Sequence, residues 1–454
     1  MRCKTATTLV FFLATLLCGL SLPLATLAQE PTTTDSTVTY PAEFFSQYEP
    51  FSVNDMLDRI PGISVARGGG GSGNGGPGSS GGSGRRGLGL GGDQILINGR
   101  RTAGKENEGN SQLSRIPANQ VQYIEIIRGT SGELDVRGGN QVINIVLLQA
   151  ESRSSIAYEI NADQLHDGEF KPGGKVSLTG QRGALDYLFS AESEPRWDRR
   201  KGFERSILGD GTPNDNVSRV TTTDSQPLVF SMNLGYEFST DDIAHFNAQF
   251  EDRDAPFFDE RTIFNLRSMP RTDTVQFDNT DHTGEFWEIG GDYEHTFANN
   301  ARWKTLFIVN RKEDASERNR FDIAGSTRTK DLFIANFNRY QERIIRSSYS
   351  FAFAGSQNIE VGMERAQTIL DSSLQLGLLS GLGTPSDAFG GLPAVKNANA
   401  TVEELRYESF FIHNWQINSR MALESTLIAE TSEIAQTGDV SKKRDFDFIR
   451  PKVD

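Results

Sequence analysis

The chain has almost no cysteine, because Cys3 and Cys18 are the only two among its 454 residues. Everything after residue 18 therefore offers no disulfide, no thiolate metal ligand and no cysteine nucleophile. Histidine is nearly as scarce, with five residues that lie far apart in the sequence and show no zinc-ligand spacing. No elbow motif places a serine, histidine and aspartate together, so the sequence predicts no catalytic residues, no metal ligands and no cofactor. We do not expect an enzyme.

Excess positive charge and long apolar runs are also missing. Lysine and arginine total 46 against 60 acidic residues, which gives a net charge of -14 and argues against a nucleic-acid partner. Beyond the run from Leu9 to Leu24, no stretch approaches the 18 or so apolar residues of a transmembrane helix. The mean hydropathy of -0.44 likewise excludes a helical membrane protein.

The first residues have the pattern of an export signal. Arg2 and Lys4 precede the apolar run, and small residues follow it up to Ala28. This order of charged, apolar and small residues predicts a signal peptide over residues 1–28, with cleavage after Ala28.

From about Ser154 onward, strand-like segments of about ten residues carry apolar side chains on one face and polar side chains on the other. In the segment from Ile243 to Phe250, the apolar face holds Ala244, Phe246, Ala248 and Phe250, and the polar face holds His245, Asn247 and Gln249. The next segment places Glu288, Asp292 and Glu294 on one face. A face for lipid opposite a face for water predicts a transmembrane antiparallel β-barrel.

The connections between these segments alternate in length. Short links are predicted at Arg182–Ala184, Ser239–Asp242, Ala298–Ala301, Gly355–Asn358 and Asn418–Arg420. Long polar loops are predicted at Pro195–Pro227, Arg253–Glu285, Lys312–Asn338 and Ser372–Val402. This alternation is typical of periplasmic turns and extracellular loops, whereas a soluble β-sandwich seldom carries several loops of about thirty residues.

Residues 30 to 150 read as a separate mixed α+β unit. Ser52 and Asp55 form a capping box before a short helix that Pro61 and Gly62 end. Short strands are predicted at Ile63–Val65, Ile95–Ile97, Tyr123–Ile127 and Val142–Leu148, with a flexible glycine-rich loop from Gly68 to Gly92 and a hairpin at Asn98-Gly99. A polar globular unit of this size could fill the lumen of a large barrel.

Four motifs of this unit occur in an order that resembles the TonB-dependent outer-membrane receptors. They are MLDRIPGISV from Met56, QILINGRR from Gln94, LSRIPANQVQYIEIIRG from Leu113 and GGNQVINIV from Gly138. The resemblance implies a TonB-box leader over residues 29–44, a plug domain over 45–150 and a barrel over 151–454. The fold class is thus an antiparallel transmembrane β-barrel with an N-terminal α+β plug.

The resemblance also implies site residues. By position, Ser36, Thr37, Val38, Thr39 and Tyr40 look like the TonB box, a short extended segment that pairs with the sheet edge of TonB. Glu125 and Arg128 match plug residues that are proposed to make ionic contacts with the barrel wall. Arg100, Arg101 and Arg137 are candidates for a ligand-facing or lumen-facing role, with an exposed hairpin rim as the open alternative.

The strand count departs from the family. The sequence predicts about 11 complete strands and a twelfth that begins near Arg444, whereas the barrel of the family has about 22. We therefore expect an incomplete barrel of 11 to 12 strands and a truncated sequence.

The function implied is energy-coupled uptake of a scarce nutrient across the outer membrane of a Gram-negative bacterium. The expected partners are TonB with its inner-membrane energising complex, outer-membrane lipid and a small-molecule nutrient. Metal chelates such as ferric siderophores are the family's most frequent cargo, and carbohydrate or cobalamin is less favoured. The alternative is a non-transporting surface-binding protein or a non-functional receptor fragment.

Overall fold

A computed structural model describes residues 32–34, 37–61, 94–98, 113, 116–127, 142–148, 152–270, 273–418 and 421–453. The described strands form two sheets, a small N-terminal sheet and a large antiparallel one. The strands are β1 (Thr32–Thr34), β2 (Thr37–Pro41), β3 (Gln94–Ile97), β4 (Val121–Ile127), β5 (Val142–Leu147), β6 (Ser152–Gln164), β7 (Phe170–Arg182), β8 (Leu185–Ser193), β9 (Arg196–Ile207), β10 (Pro213–Glu237), β11 (Asp242–Asp254), β12 (Phe257–Asn265), β13 (Asp273–Thr296), β14 (Arg302–Ala324), β15 (Thr327–Phe353), β16 (Gln357–Leu378), β17 (Pro385–Ser386), β18 (Leu392–Asn418), β19 (Met421–Gly438) and β20 (Lys442–Val453).

The small sheet has the order β1-β2-β4-β5-β3, in which β3 runs parallel to β5 and the other neighbours are antiparallel. Two short helices pack beside it, α1 (Ala42–Phe45) and α2 (Val53–Leu57). The predicted capping box is confirmed, because the Asp55 amide donates to the Ser52 hydroxyl and the Ser52 amide donates to the Asp55 carboxylate at 3.0 Å. No described helix is long and apolar enough to cross a membrane.

The core of this unit is apolar and fully buried. Phe45, Met56 and Leu57 of the helical segments pack against Ile124 of β4 and Ile145 of β5. The strands predicted at 95–97, 123–127 and 142–148 are confirmed as β3, β4 and β5. The strand predicted at 63–65, the glycine-rich loop and the second strand of the Asn98-Gly99 hairpin lie outside the described residues.

The large sheet follows an antiparallel path of twelve strands, from β6 through β7, β8, β10, β11, β13, β14, β15, β16, β18 and β19 to β20. Strands β9, β12 and β17 pair beside this path. The expected count of 11 complete strands and a twelfth is matched, and the twelfth is β20. Within the described part of the chain, β6 and β20 end the path and are not paired with each other.

Four predicted tight turns are confirmed, because each joins two successive strands of the path, whereas residues 419 and 420 of the fifth, between β18 and β19, lie outside the described residues. Two of them use glycine in the left-handed region that other residues rarely adopt, Gly183 at φ 62° and Gly355 at φ 69°. The four predicted long loops are wrong in their structure. Most of their residues continue the strands as hairpin extensions, so that β10 has 25 residues and β15 has 27.

The alternation of faces is confirmed by burial. On β11 the polar side chains Asn247 and Gln249 are 2% and 8% exposed, whereas Phe250 is 39% exposed. On β13 Glu288 is fully buried, whereas Ile289 is 37% exposed. We call the face with the buried polar residues the inner face and the face with the exposed apolar residues the outward face.

Candidate functional site

The segment predicted as the TonB box belongs to the small sheet. Thr37, Val38, Thr39 and Tyr40 lie in β2, which pairs with β1 on one side and β4 on the other. Ser36 lies outside the described residues. The sequence placed these residues in a leader that ends at residue 44, but the structure includes them in the compact unit. Because the described backbone of β2 is paired along both edges, another protein's strand can join it only after a neighbour is displaced.

The predicted contact residues are placed only in part. Glu125 lies in β4, where its carboxylate accepts a hydrogen bond from Nδ2 of Asn144 at 2.9 Å on the adjacent strand. This bond lies within the small sheet, so contact between Glu125 and the barrel wall stays a prediction. Predictions for the remaining arginines fall outside the described residues, namely Arg100, Arg101, Arg128 and Arg137.

The small unit packs directly on the inner face of the large sheet. Leu188 of β8 is 7% exposed and belongs to the same apolar cluster as Phe45 and Ile124. Nearby, Oγ1 of Thr179 donates to Oε1 of Gln120 at 2.9 Å. Sequence reasoning missed this contact. The sequence did contain an indication of it, because Leu188 is an apolar residue on the otherwise polar face of its strand.

A cavity of about 610 Å³ lies between the two units. The small unit contributes Asn98 and Gln120, and the large sheet contributes Asp186, Asn233 and His245. The sheet residues lie close to the turns that join β7 to β8 and β10 to β11, so the cavity is at the short-turn end. Its lining offers hydrogen-bond donors and acceptors to water or to a polar solute.

A ladder of opposite charges crosses the inner face from β15 to β20. Glu364 is bonded by Arg346 at 3.4 Å and by Arg406. Farther along, Arg450 bonds Glu408 at 3.0 Å and also bonds Glu430. The ladder has one guanidinium for each carboxylate, which offsets the cost of removing these charges from water.

A second ionic network lies on the inner face of the hairpin extensions, far from the short turns. Asp259 of β12 and Asp278 of β13 are directly opposite each other and are 1% and 2% exposed. Nε of Arg219 and Nε of Arg261 each lie 2.7 Å from Asp259, and Nη2 of Arg318 lies 2.7 Å from Asp278. The guanidinium groups keep partly exposed edges, so this surface can meet an anionic solute.

Across the described ranges, no group of three or more histidine, cysteine, aspartate or glutamate side chains is arranged to hold a metal ion.

Comparison with known proteins identifies the small unit. Residues 29–139 match the family described as the TonB-dependent Receptor Plug Domain. A segment of 171 residues is 30% identical to the vitamin B12 transporter BtuB of Photobacterium profundum, covering 37% of this chain and 26% of that protein. The chain therefore matches about a quarter of the length of this relative.

Similarity to solved structures is weaker. The closed form of the ferric-catecholate import receptor Fiu from E. coli K12 is 10% identical with a TM-score of 0.34, over 92% of this chain and 80% of that one. The ferric yersiniabactin uptake receptor FyuA from Yersinia pestis is 10% identical with a TM-score of 0.28, over 92% and 79%. TM-scores this low do not show that two chains share an overall fold.

The plug match covers residues 29–139, so it supports the resemblance that the motifs indicated for the N-terminal unit.

Proposed function

We propose that this chain, whose N-terminal unit is a plug domain of the TonB-dependent receptor family, takes part in the energy-coupled uptake of a scarce nutrient. The observation that carries the proposal is the packing of the plug on the inner face of the sheet, through Leu188 and through the bond from Thr179 to Gln120. A plug held in this way obstructs passive passage. Work from a partner is then needed to rearrange it.

The partner in this proposal is TonB with its inner-membrane energising complex. Its contact is the backbone of Thr37, Val38 and Thr39, because strand addition takes affinity from main-chain hydrogen bonds and little from side chains. Since β2 is paired on both sides, TonB binding and partial unfolding of the plug sheet become one event. Pulling on this strand loosens the plug at its pairing with β4.

The ligand that we favour is a metal chelate such as a ferric siderophore. Support comes from the inner face of the hairpin extensions, where Arg219, Arg261 and Arg318 surround two buried carboxylates and keep exposed guanidinium edges. Planar guanidinium groups bind the carboxylate and catecholate oxygens of anionic chelates through paired hydrogen bonds.

Cobalamin is the second candidate, because the matched relative is a vitamin B12 transporter. A carbohydrate is less favoured. A surface-binding protein that transports nothing is the alternative class, and it would bind a ligand without accumulating it in the cell.

Binding and uptake separate these possibilities. The four tryptophans of the chain allow binding to be followed by quenching of intrinsic fluorescence with ferric hydroxamate, ferric catecholate and cyanocobalamin. Cells that express the protein should accumulate the ligand that binds, and deletion of TonB should abolish accumulation while leaving binding unchanged. Uptake that persists without TonB, or binding without uptake in energised cells, contradicts the proposal.

A further inference from the structure

The outward face of three adjacent strands changes from apolar to basic at one level. On β14 the exposed side chain of Phe307 is followed on the same face by Arg311, and on β16 that of Met363 is followed by Arg365. On β15, between them, exposed Ile345 shares its face with Arg343, also exposed. We call Arg311, Arg343 and Arg365 the arginine belt.

The strand register brings the belt together. Ile345 lies opposite Phe307 on one side and opposite Arg365 on the other. Arg343 is two positions along β15 from Ile345, so it is a diagonal neighbour of Arg365, within about 8 Å for backbones and within reach for long side chains. The neighbouring residue Ile344 points to the opposite face and is buried.

The belt has more positive than negative charge. Arg311 donates from Nε to Glu313 at 2.8 Å, and Arg339 bonds the same carboxylate. In the part of the chain that the structure describes, no carboxylate lies at ion-pair distance from Arg343 or Arg365. This excess is local, since the whole chain has a net charge of -14.

The height of the belt matches an outer interface of the bilayer. All three arginines lie eight to ten positions from the short-turn ends of their strands. About ten tilted residues cross the hydrocarbon of a membrane. Arginine on a lipid-facing surface is tolerated near the interface and strongly disfavoured at the midplane, so the belt marks the upper edge of the apolar band.

We propose that the arginine belt is a binding site for the phosphate groups of an outer-leaflet glycolipid. Guanidinium groups bind phosphate through paired, charge-assisted hydrogen bonds, and the exposed apolar side chains of Ile345, opposite Arg365, and Met363, below Arg365, suit the acyl chains. The site is distinct from the plug and from the inner face. It rests on the placement of the sheet in the membrane and goes beyond the uptake of a nutrient.

The test compares a double variant, Arg343→Gln with Arg365→Gln, with the unaltered protein in detergent micelles. The probe is a fluorescent glycolipid with a diphosphorylated disaccharide headgroup, beside the same lipid after removal of its phosphates. At low ionic strength the double variant should bind the phosphorylated lipid about 30-fold more weakly, because each arginine near such a surface contributes roughly a fivefold factor. The dephosphorylated lipid should bind both proteins equally weakly.

Two further variants keep the test decisive. Arg205→Gln removes an exposed arginine of β9, high on a hairpin extension, and should leave lipid binding unchanged. Arg343→Lys with Arg365→Lys keeps the charge and should recover most of the affinity, which separates loss of charge from misfolding.

Equal affinity for the two lipids, or an equal loss in the Arg205 variant, overturns the proposal. Displacement by inorganic phosphate at the concentration at which the glycolipid binds would identify a simple anion site and would also overturn it. Nutrient uptake does not enter these measurements, so their failure leaves the proposed transport function untouched.

Discussion

Leu234 of β10 should face the hydrocarbon core, and its replacement by arginine is a sensitive test of the sheet's orientation. Its outward neighbours Phe230 and Tyr236 are 46% and 44% exposed, whereas Ser231 on the inner face is 6% exposed. Across the sheet Leu234 lies opposite Tyr187 on one side and Phe246 on the other. Each of these contacts is consistent with a lipid-facing surface.

The expected loss of folding free energy depends on how deep residue 234 lies in the bilayer. Leu234 lies four positions from Phe238, at the short-turn end, and six positions from Leu228, at the upper edge of the apolar band. Six strand residues span about 20 Å, or about 15 Å in depth at a tilt of roughly 40°. Leu234→Arg should therefore cost about 2 to 4 kcal/mol, as for arginine near the midplane. Leu228→Arg makes the same chemical change near the interface and should cost about 0 to 1 kcal/mol.

The assay is reversible urea unfolding of the two variants in lipid vesicles, followed by tryptophan fluorescence. Both variants exchange leucine for arginine on the same face of one strand. The difference between their free energies of unfolding therefore reports the depth of each residue in the bilayer. Equal costs for Leu228→Arg and Leu234→Arg, or no cost at Leu234, would refute the assignment of this face to lipid.

Three further predictions concern the plug, the short-turn end of β11 and the hairpin extensions. A disulfide between Val38→Cys and Ile126→Cys, which lie opposite each other in β2 and β4, should stop uptake when oxidised and restore it when reduced, with ligand binding unchanged; transport by the oxidised form would show that β2 need not leave the sheet. Hydrogen bonds from Tyr293, from a turn serine and from a histidine hold the pKa of Asp242 at about 2, so the stability that this carboxylate adds should be complete above about pH 4 and lost as the pH falls through 2. An NMR titration that gives Asp242 an ordinary midpoint near 4 would contradict this. Asp259→Asn leaves two guanidinium groups without their carboxylate and should destabilise the hairpin extensions by about 1 to 3 kcal/mol, seen as faster amide exchange there; unchanged exchange would argue that the pairs contribute nothing.

Local patterns in the sequence predicted most of the large sheet. The period of two on β11 and the glycine turns at Gly183 and Gly355 depend on residues close in sequence, and these predictions are confirmed. The twelve-strand path follows from joining such segments alternately by short turns and by longer connections.

The hairpin extensions could not be predicted in the same way. Stretches such as residues 213–225 are polar on both faces, so they lack the alternation that reveals a lipid-facing strand. They pair because partners distant in sequence bond across the strands, as Arg219 of β10 does with Asp259 of β12. Only the folded register brings those charges together.

The strand pairing of the plug also could not be predicted from local sequence patterns. The segment from Thr37 to Tyr40 has the character of a strand in the sequence, but nothing local indicates that its neighbour is β4, more than eighty residues away. The contact of Leu188 with the plug core also depends on tertiary packing. Local patterns therefore predicted the elements, while the packing of the plug on the large sheet could be found only from the structure.

The most direct test of the account is the accumulation of radiolabelled ligand by cells that express the protein from its own gene, measured with and without TonB. The account predicts that a metal chelate, ferric or cobalt-containing, accumulates only when TonB is present and the inner membrane is energised, although it binds to the cells in either case. Accumulation that is equal without TonB, or binding that is never followed by accumulation, would contradict energy-coupled uptake as the function.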